Sequence, residues 1–517
     1  MKQQRTHSVK KRSHFLILFF SFFLIQSCSQ NLRIPAQSSS FIQRDLLLST
    51  SDILSQLATE ELSIDVCNQE IAEGFHYLSE LPSDHFKTEY SAGEYEQIIK
   101  DIWLIKKNLR RHVGNWESAG VMTRQCAGSI KAALRASRYI EDYVSLIYVN
   151  QFQIKNNHKK LTGFENTDSS ANFSKPFPWV LSDKEDFKFR EDLKSGDLLL
   201  WRGKTSISAS IARLGDTETN FSHLSMVYRD EKTGKLFHME SLIETGLIVE
   251  DFTHSPLHPG SARIVVLRHK DAQLAKKAAK FAYEVASRTM GTKDHLYYDF
   301  GFDLNDHKKV FCSEIVNWAF KEASKGEVDI PLYKTHFDMK NRTFLNAIGT
   351  DAKVGFQPGD IELSPDFTMI AEWRNFNYSR ANQLKDVIHS EIYRWMDDYQ
   401  YNFKWSFRGN ILGSLVYGTR RIPLLGNLIE DKLPLNMSRR TLSSVMTMDK
   451  VSGIIYKKMM KDLFKEDPHA IYSLADLKKR LEKIRVRDLE KFKDQVRANR
   501  NGKAHANPLF HHLLGPT

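Results

Sequence analysis

Between Asp197 and Leu267 the hydrophobic pattern of this chain has a period of two, and on either side it has the period of a helix. That change constrains the fold most, because side chains alternate across a strand but recur every three or four residues on a helix. Asp197 to Trp201 reads as a buried strand. Ser222 to Tyr228 and Leu236 to Ser241 alternate, and the turn residues Asp230 and Thr233-Gly234 between them make the pair a hairpin. Leu247 to Val249 and Arg263 to Leu267 add two short strands. Gln273 to Met290 is helical, with Leu274, Ala278, Phe281, Ala282 and Val285 on one face, and a further apolar helix opens at Cys312. The expected class is α+β, a small antiparallel sheet packed with helices, flanked by mostly helical regions.

The flanks divide by composition. Residues 1–27 are a leader: Lys2, Arg5, Lys10, Lys11 and Arg12 precede an apolar stretch from Phe15 to Ile25 that is too short to span a membrane. Ile25 and Ser27 stand at −3 and −1 from Cys28, which resembles the lipobox of bacterial lipoproteins, with Gln26 in place of the usual small residue. On that reading Cys28 becomes a lipidated N-terminus, and Ser29 behind it favours the outer membrane, facing the periplasm. An ordinary secretory leader cut nearby is the other reading. Residues 28–44 are polar and read as a tether. Residues 45–165 are helical in pattern, with a capping-box signature at Ser91 and Glu94. Residues 156–186 are polar and turn-rich, residues 187–375 hold the α+β pattern, and residues 376–517 are again helical. The net charge of +11 belongs to this last part, with 26 lysines and arginines against 15 acidic residues; the body before it is mildly acidic. Asn410 to Ile429 is apolar but broken by glycines, arginines and Pro423, so it is not a spanning helix.

The chain has four cysteines. An exported chain meets conditions in which disulfides persist. Cys28 would carry lipid, and Cys67 and Cys126 either pair or stay as two reduced core residues. Cys312 is left over. It sits where an apolar helix begins, and free N–H groups and the positive end of the helix dipole there favour a thiolate nucleophile. Acyl transfer by a thiol also needs a base and a group that orients the base. His223 lies in the first strand of the hairpin and Glu240 ends the second, so the two can meet on one face. His238 is a rival base. Each feature alone has a structural explanation: a hydrogen-bonded core histidine, a packed cysteine, a solvated carboxylate.

The order of signals is more telling. Gly196-Asp197, Phe221-Ser222-His223, Met239-Glu240, Tyr298-Asp299-Phe300 and Phe311-Cys312-Ser313-Glu314 follow one another along the chain. Together they resemble the permuted papain-like cysteine hydrolases of the YiiX type, relatives of the NlpC-type peptidases and of lecithin–retinol acyltransferase. In that family the His strand and the strand of the polar third residue precede the Cys helix. The resemblance implies a permuted papain-like domain over residues 187–375, with Cys312 as nucleophile, His223 as general base and Glu240 as orienting group. Backbone N–H groups at the start of the Cys312 helix would stabilise the oxyanion, with a hydroxyl from Tyr298 as an addition. Asp197 and Glu314 are expected to hold structure, and the polar loop from Asp303 to Lys309 to shape access to the thiol.

No cofactor is expected. His254 and His258 flank prolines without a ligand cluster, His511-His512 is similarly bare, and no phosphate loop or dinucleotide fingerprint occurs. Three functions fit. The first is a lipid-anchored cysteine hydrolase of amide bonds, such as those of cell-wall peptides. The second is a hydrolase or transferase of lipid acyl groups, which the basic C-terminal region would suit. The third is an envelope scaffold without catalysis. The partners expected are a peptide or lipid acyl substrate and the membrane, not nucleic acid.

Overall fold

The computed structural model describes residues 63–71, 79–152, 180–184, 187–252, 260–404, 437–465, 467–500 and 507–517. The leader, Cys28, the tether, His254, His258 and the stretch Asn410 to Ile429 lie outside these residues.

Two long helices come first. Helix α1 (Ala92–Ser118) opens on the expected capping box, in which Ser91 accepts from the Glu94 N–H and Glu94 accepts from the Ser91 N–H. Helix α2 (Arg124–Gln151) is capped by Thr123. Cys67 and Cys126 form a disulfide with their Cα atoms 5.1 Å apart, within a cluster that includes Leu109, Trp116 and Ile130. Such a bond stabilises by about 2–4 kcal/mol, mainly by restricting the unfolded chain.

The central sheet is antiparallel and seven-stranded. Its strands are β1 (Val180–Ser182), β2 (Leu198–Gly203), β3 (His223–Arg229), β4 (Leu236–Leu242), β5 (Gly246–Asp251), β6 (Ser261–His269) and, late in the chain, β9 (Phe367–Arg374). The spatial order is β1-β9-β6-β2-β3-β4-β5. The hairpin β3–β4 has the expected turn, and its register pairs Met226 with Met239 and Val227 with His238. Between β2 and β3 runs a short helix, α3 (Ser206–Ile211). Helices α4 (Ala272–Thr289) and α5 (Cys312–Ala323) pack on one face of the sheet, where Ala278, Ala282, Ile315 and Val316 meet Leu200, Leu224 and Val265. That same apolar cluster contains Ile98, Trp103 and Tyr143 of α1 and α2. Phe187, Phe189 and Phe252 cover the opposite face over Leu199, Val227 and Trp373.

A buried ionic cluster also ties α1 and α2 to the sheet. Lys106 Nζ lies 2.6 Å from Glu372 and 3.2 Å from Glu141. Arg374 reaches Glu141 at 2.7 Å, and Arg263 pairs with Glu141, Asp142 and Glu372. The side chains of Lys106, Glu141 and Glu372 are fully buried.

After α5 come a two-stranded ribbon, β7 (Thr335–His336) with β8 (Val354–Gly355), and helix α6 (Thr343–Ile348). Helices α7 (Ser379–Tyr399), α8 (Arg439–Phe464) and α9 (Leu474–Arg500) follow, with β10 (Tyr401–Phe403) paired to β11 (Leu514–Pro516). They share a second core, in which Ile388, Trp395, Val451, Ile455 and Leu481 are wholly buried. No described helix is long and apolar enough to cross a membrane.

Candidate active site

The site lies where the start of β3, the end of β4 and the first turn of α5 converge. Because His223, Ser225 and Val227 share one side of β3, and His238 and Glu240 the matching side of β4, the hairpin register sets Glu240 diagonally across from His223. His223 Nε2 is 2.5 Å from Glu240 Oε2. His223 is also coupled to the Cys312 thiol, by a side-chain hydrogen bond and by charge. The structure therefore brings Glu240, His223 and Cys312 into one chain of contacts.

Several backbone links hold this geometry. Ser241, next to Glu240, donates its hydroxyl to the Val310 carbonyl at 2.5 Å. Val310 N–H donates to the Tyr297 carbonyl at 2.9 Å, and Leu247 N–H to Leu296 at 2.8 Å. The segment carrying Tyr298 is thus held between β5 and the approach to Cys312. Glu314, in the first turn of α5, accepts from the Phe311 N–H at 3.1 Å and faces His307 Nδ1 at 3.0 Å. His307 stacks on Trp318, so the polar loop before Cys312 is fastened to the helix that Cys312 opens. Burial raises the Glu314 carboxyl to about 7.

Asp197 also holds structure. It accepts from Arg268 at 2.7 and 2.6 Å and from the Lys194 N–H. Gly196 before it has φ +88°, and a Cβ there would come within 2.5 Å of Ala275, so the tight entry to β2 requires glycine.

The electrostatics favour an ion pair. Cys312 is 4 % exposed. Burial alone would push its thiol up, but the hydrogen bond and charge of His223 bring it below the ordinary thiol value, with help from the Ser313 hydroxyl and the Leu224 N–H. For His223 burial alone would lower the pKa; the hydrogen bonds with Cys312 and Glu240 and their charges outweigh it and raise it to about 10. The thiolate–imidazolium pair therefore spans a window from the lowered thiol value up to about pH 10. Tyr298, buried and hydrogen-bonded to Cys312, is held protonated by burial and by the neighbouring thiolate charge. Its hydroxyl is thus a donor beside the Cys312 sulfur.

These shifts predict a pH profile. Carbamidomethylation of Cys312 by iodoacetamide, followed by mass spectrometry, should be on its plateau near neutrality. In Glu240→Gln the imidazolium loses its carboxylate, the thiol pKa rises, and the acid limb should move up by about 1–3 units. Coincident acid limbs would show that Glu240 has no part in charging the site.

His238 is not placed against Cys312 in the way His223 is. Its Nε2 is 3.3 Å from Glu250 and its Nδ1 3.9 Å from Glu240, and its ring packs on Phe252. His238, Glu240 and Glu250 have ligand atoms within 4.8 Å of one another, the one such group of three among the described residues. Glu240 is the carboxylate already engaged with His223. His511 pairs with Asp488 at 2.7 Å and with Tyr401 at 2.9 Å, buried in the C-terminal core.

Three contributors were not visible in the sequence. The Leu224 N–H is a main-chain donor with no residue signature. The Ser313 hydroxyl looked like part of a motif rather than a partner of its neighbour. His307 sat in a polar loop, and its distance of seven residues from Glu314 was the only available hint.

Residues 192–355 match the model of the permuted papain-like amidase enzymes, YaeF/YiiX, C92 family. The match supports a papain-like hydrolase of amidase or peptidase type over that span. It includes Cys312, His223, Glu240 and Tyr298, and leaves out α1, α2 and α7 to α9. No curated protein and no solved structure matches the chain.

Proposed function

We propose that this chain, whose residues 192–355 are a permuted papain-like amidase domain, is a cysteine hydrolase that cleaves amide bonds of cell-envelope peptides through an acyl-enzyme. The observation that carries the reading is the contact chain from Glu240 through His223 to Cys312. The Cys312 thiolate adds to the amide carbonyl carbon, and a C–S bond forms. The oxyanion that develops is met by N–H groups at the start of α5, with Tyr298 as a further donor. As the C–N bond breaks, His223 gives its proton to the leaving amine. Water then attacks the thioester, His223 accepts the water proton, and the acid leaves with the thiolate restored. Glu240 holds the ring and its charge throughout.

The place of action is read from the leader segment. We read Cys28 as the lipidated residue of an outer-membrane lipoprotein facing the periplasm. The Cys67–Cys126 disulfide supports an oxidising compartment. Cells fed an alkyne palmitate analogue should label the wild type and leave Cys28→Ala unlabelled; label retained in the variant would rule out the anchor.

The activity itself is tested by incubating the whole chain in detergent with muropeptides and, separately, with phospholipids. The expected result is cleavage of a peptide amide, a transient acyl adduct on the Cys312 peptide, and no fatty acid release. Release of fatty acid without amide cleavage would overturn the substrate assignment.

A further inference from the structure

Tyr298 faces two ways. Its hydroxyl is hydrogen-bonded to Cys312, and its side chain walls a cavity of about 50 Å³. The other walls come from scattered parts of the chain: Ile207 of α3, Phe300 of the loop before the nucleophile, Phe344 of α6, and Val445 and Met448 of α8. Most of the lining is apolar, with the buried Ser206 and Ser210 of α3 among it. Ile207, Phe300 and Val445 are only half-buried, so the cavity opens outward, with the exposed Asp449 at its mouth.

A histidine joins this surface from within. His389 of α7 lines the cavity, is fully buried, and has no hydrogen-bond partner on either ring nitrogen. A buried imidazole without partners costs stability, and packing alone would be served by leucine. Burial and the charges of Arg213 and Arg202 keep it neutral, with its pKa lowered to about 3. It therefore offers one N–H and one lone pair to an uncharged group and would not attract a carboxylate.

Resting on the reading of Cys312 as an acyl-accepting nucleophile, we infer that this cavity is the acyl subsite, and that it takes a short aliphatic acyl group carrying an uncharged hydrogen-bonding substituent that meets His389. The volume suits a few carbons and not a long lipid chain. The walls from α6, α7 and α8 make the C-terminal helices part of substrate selection, although only α6 lies within the family-matched span.

The test uses the full chain and p-nitrophenyl esters of acetate, propionate, pentanoate, decanoate and 4-oxopentanoate. The readouts are the nitrophenolate burst and the mass of the acylated Cys312 peptide, with Cys312→Ala as the blank. Acylation should rise roughly fourfold per added methylene up to pentanoate and gain nothing further at decanoate. The 4-oxopentanoate should exceed pentanoate by about three- to tenfold, as one added hydrogen bond allows. His389→Leu should reverse that last preference. Val445→Lys, at the half-exposed rim, should flatten the chain-length series and serves if His389→Leu does not fold. Acylation of Cys312 at rates independent of chain length and of the keto group would overturn the subsite while leaving the nucleophile in place. Failure of every ester to acylate Cys312 would overturn the nucleophile and the subsite with it.

Discussion

Hydrolysis by Cys312→Ala is expected to fall by a factor on the order of 10⁴ or more, because the acyl-enzyme route loses its only nucleophile. What survives is what binding and oxyanion donors can do for water alone. His223→Ala should fall nearly as far, since without the imidazolium the buried thiol would revert toward its neutral form and the leaving amine would lose its proton donor. The two changes should not add: the double variant is expected to match Cys312→Ala within a fewfold. Turnover of the substrate identified by muropeptide screening, with intact-mass detection of the acyl adduct, measures all three. Equal turnover in wild type and Cys312→Ala would leave the domain as a scaffold.

The largest structural effect is expected at Glu372. This carboxylate on β9 is fully buried and pairs with Lys106 at 2.6 Å and with Arg263. Burial by itself would raise its pKa, but the charges of Lys106, Arg263 and Arg138 hold it far below the ordinary carboxylate range. Glu372→Gln takes one carboxylate out of a buried cluster in which Lys106 and Arg263 keep only Glu141 and Asp142, at a cost of about 3–5 kcal/mol. The thermal midpoint should drop by on the order of 10 °C. Lys106→Met/Glu372→Gln, which removes one charge of each sign, should recover part of the loss. A double variant no more stable than the single would show that the pair is not coupled. The pH dependence follows from the direction of the shift. A depressed carboxylate contributes its full stability above the unfolded carboxylate's pKa, and that contribution is lost as pH falls through the folded value. The wild type should therefore lose stability in acid more steeply than Glu372→Gln, whose amide does not titrate.

The hairpin, the Cys312 helix and the His–Glu pairing were legible because each rests on local signals: alternation, turn residues and an apolar run behind a thiol. Strand β9 was not. Its sequence carries Glu372 inside the strand and Arg374 at its end, both buried, which breaks the apolar run that marks buried strands. The partners that make those charges tolerable lie on α1, α2 and β6. Composition likewise drew a boundary through residues 156–186, yet Trp103, Leu181 and Phe367 lie in one apolar cluster across it. The cavity beside Tyr298 escaped notice for the same reason. Ile207, Phe344, His389 and Met448 have no common motif, and only the packing of α3, α6, α7 and α8 assembles them.

The ionic cluster also sets a schedule for the growing chain. Lys106 and Glu141 emerge early, on helices whose apolar faces could otherwise collapse at once. Glu372 stands 266 residues beyond Lys106, and Arg374 follows it. Until residue 374 of 517 has left the ribosome, Lys106 has Glu141 but lacks Glu372, and Glu141 lacks Arg374, so the cluster on the first two helices is incomplete. Those helices therefore cannot reach their final packing as an independent early unit. They wait on the last strand of the sheet, and a chain arrested before that strand would present a partly open, apolar surface to chaperones and proteases.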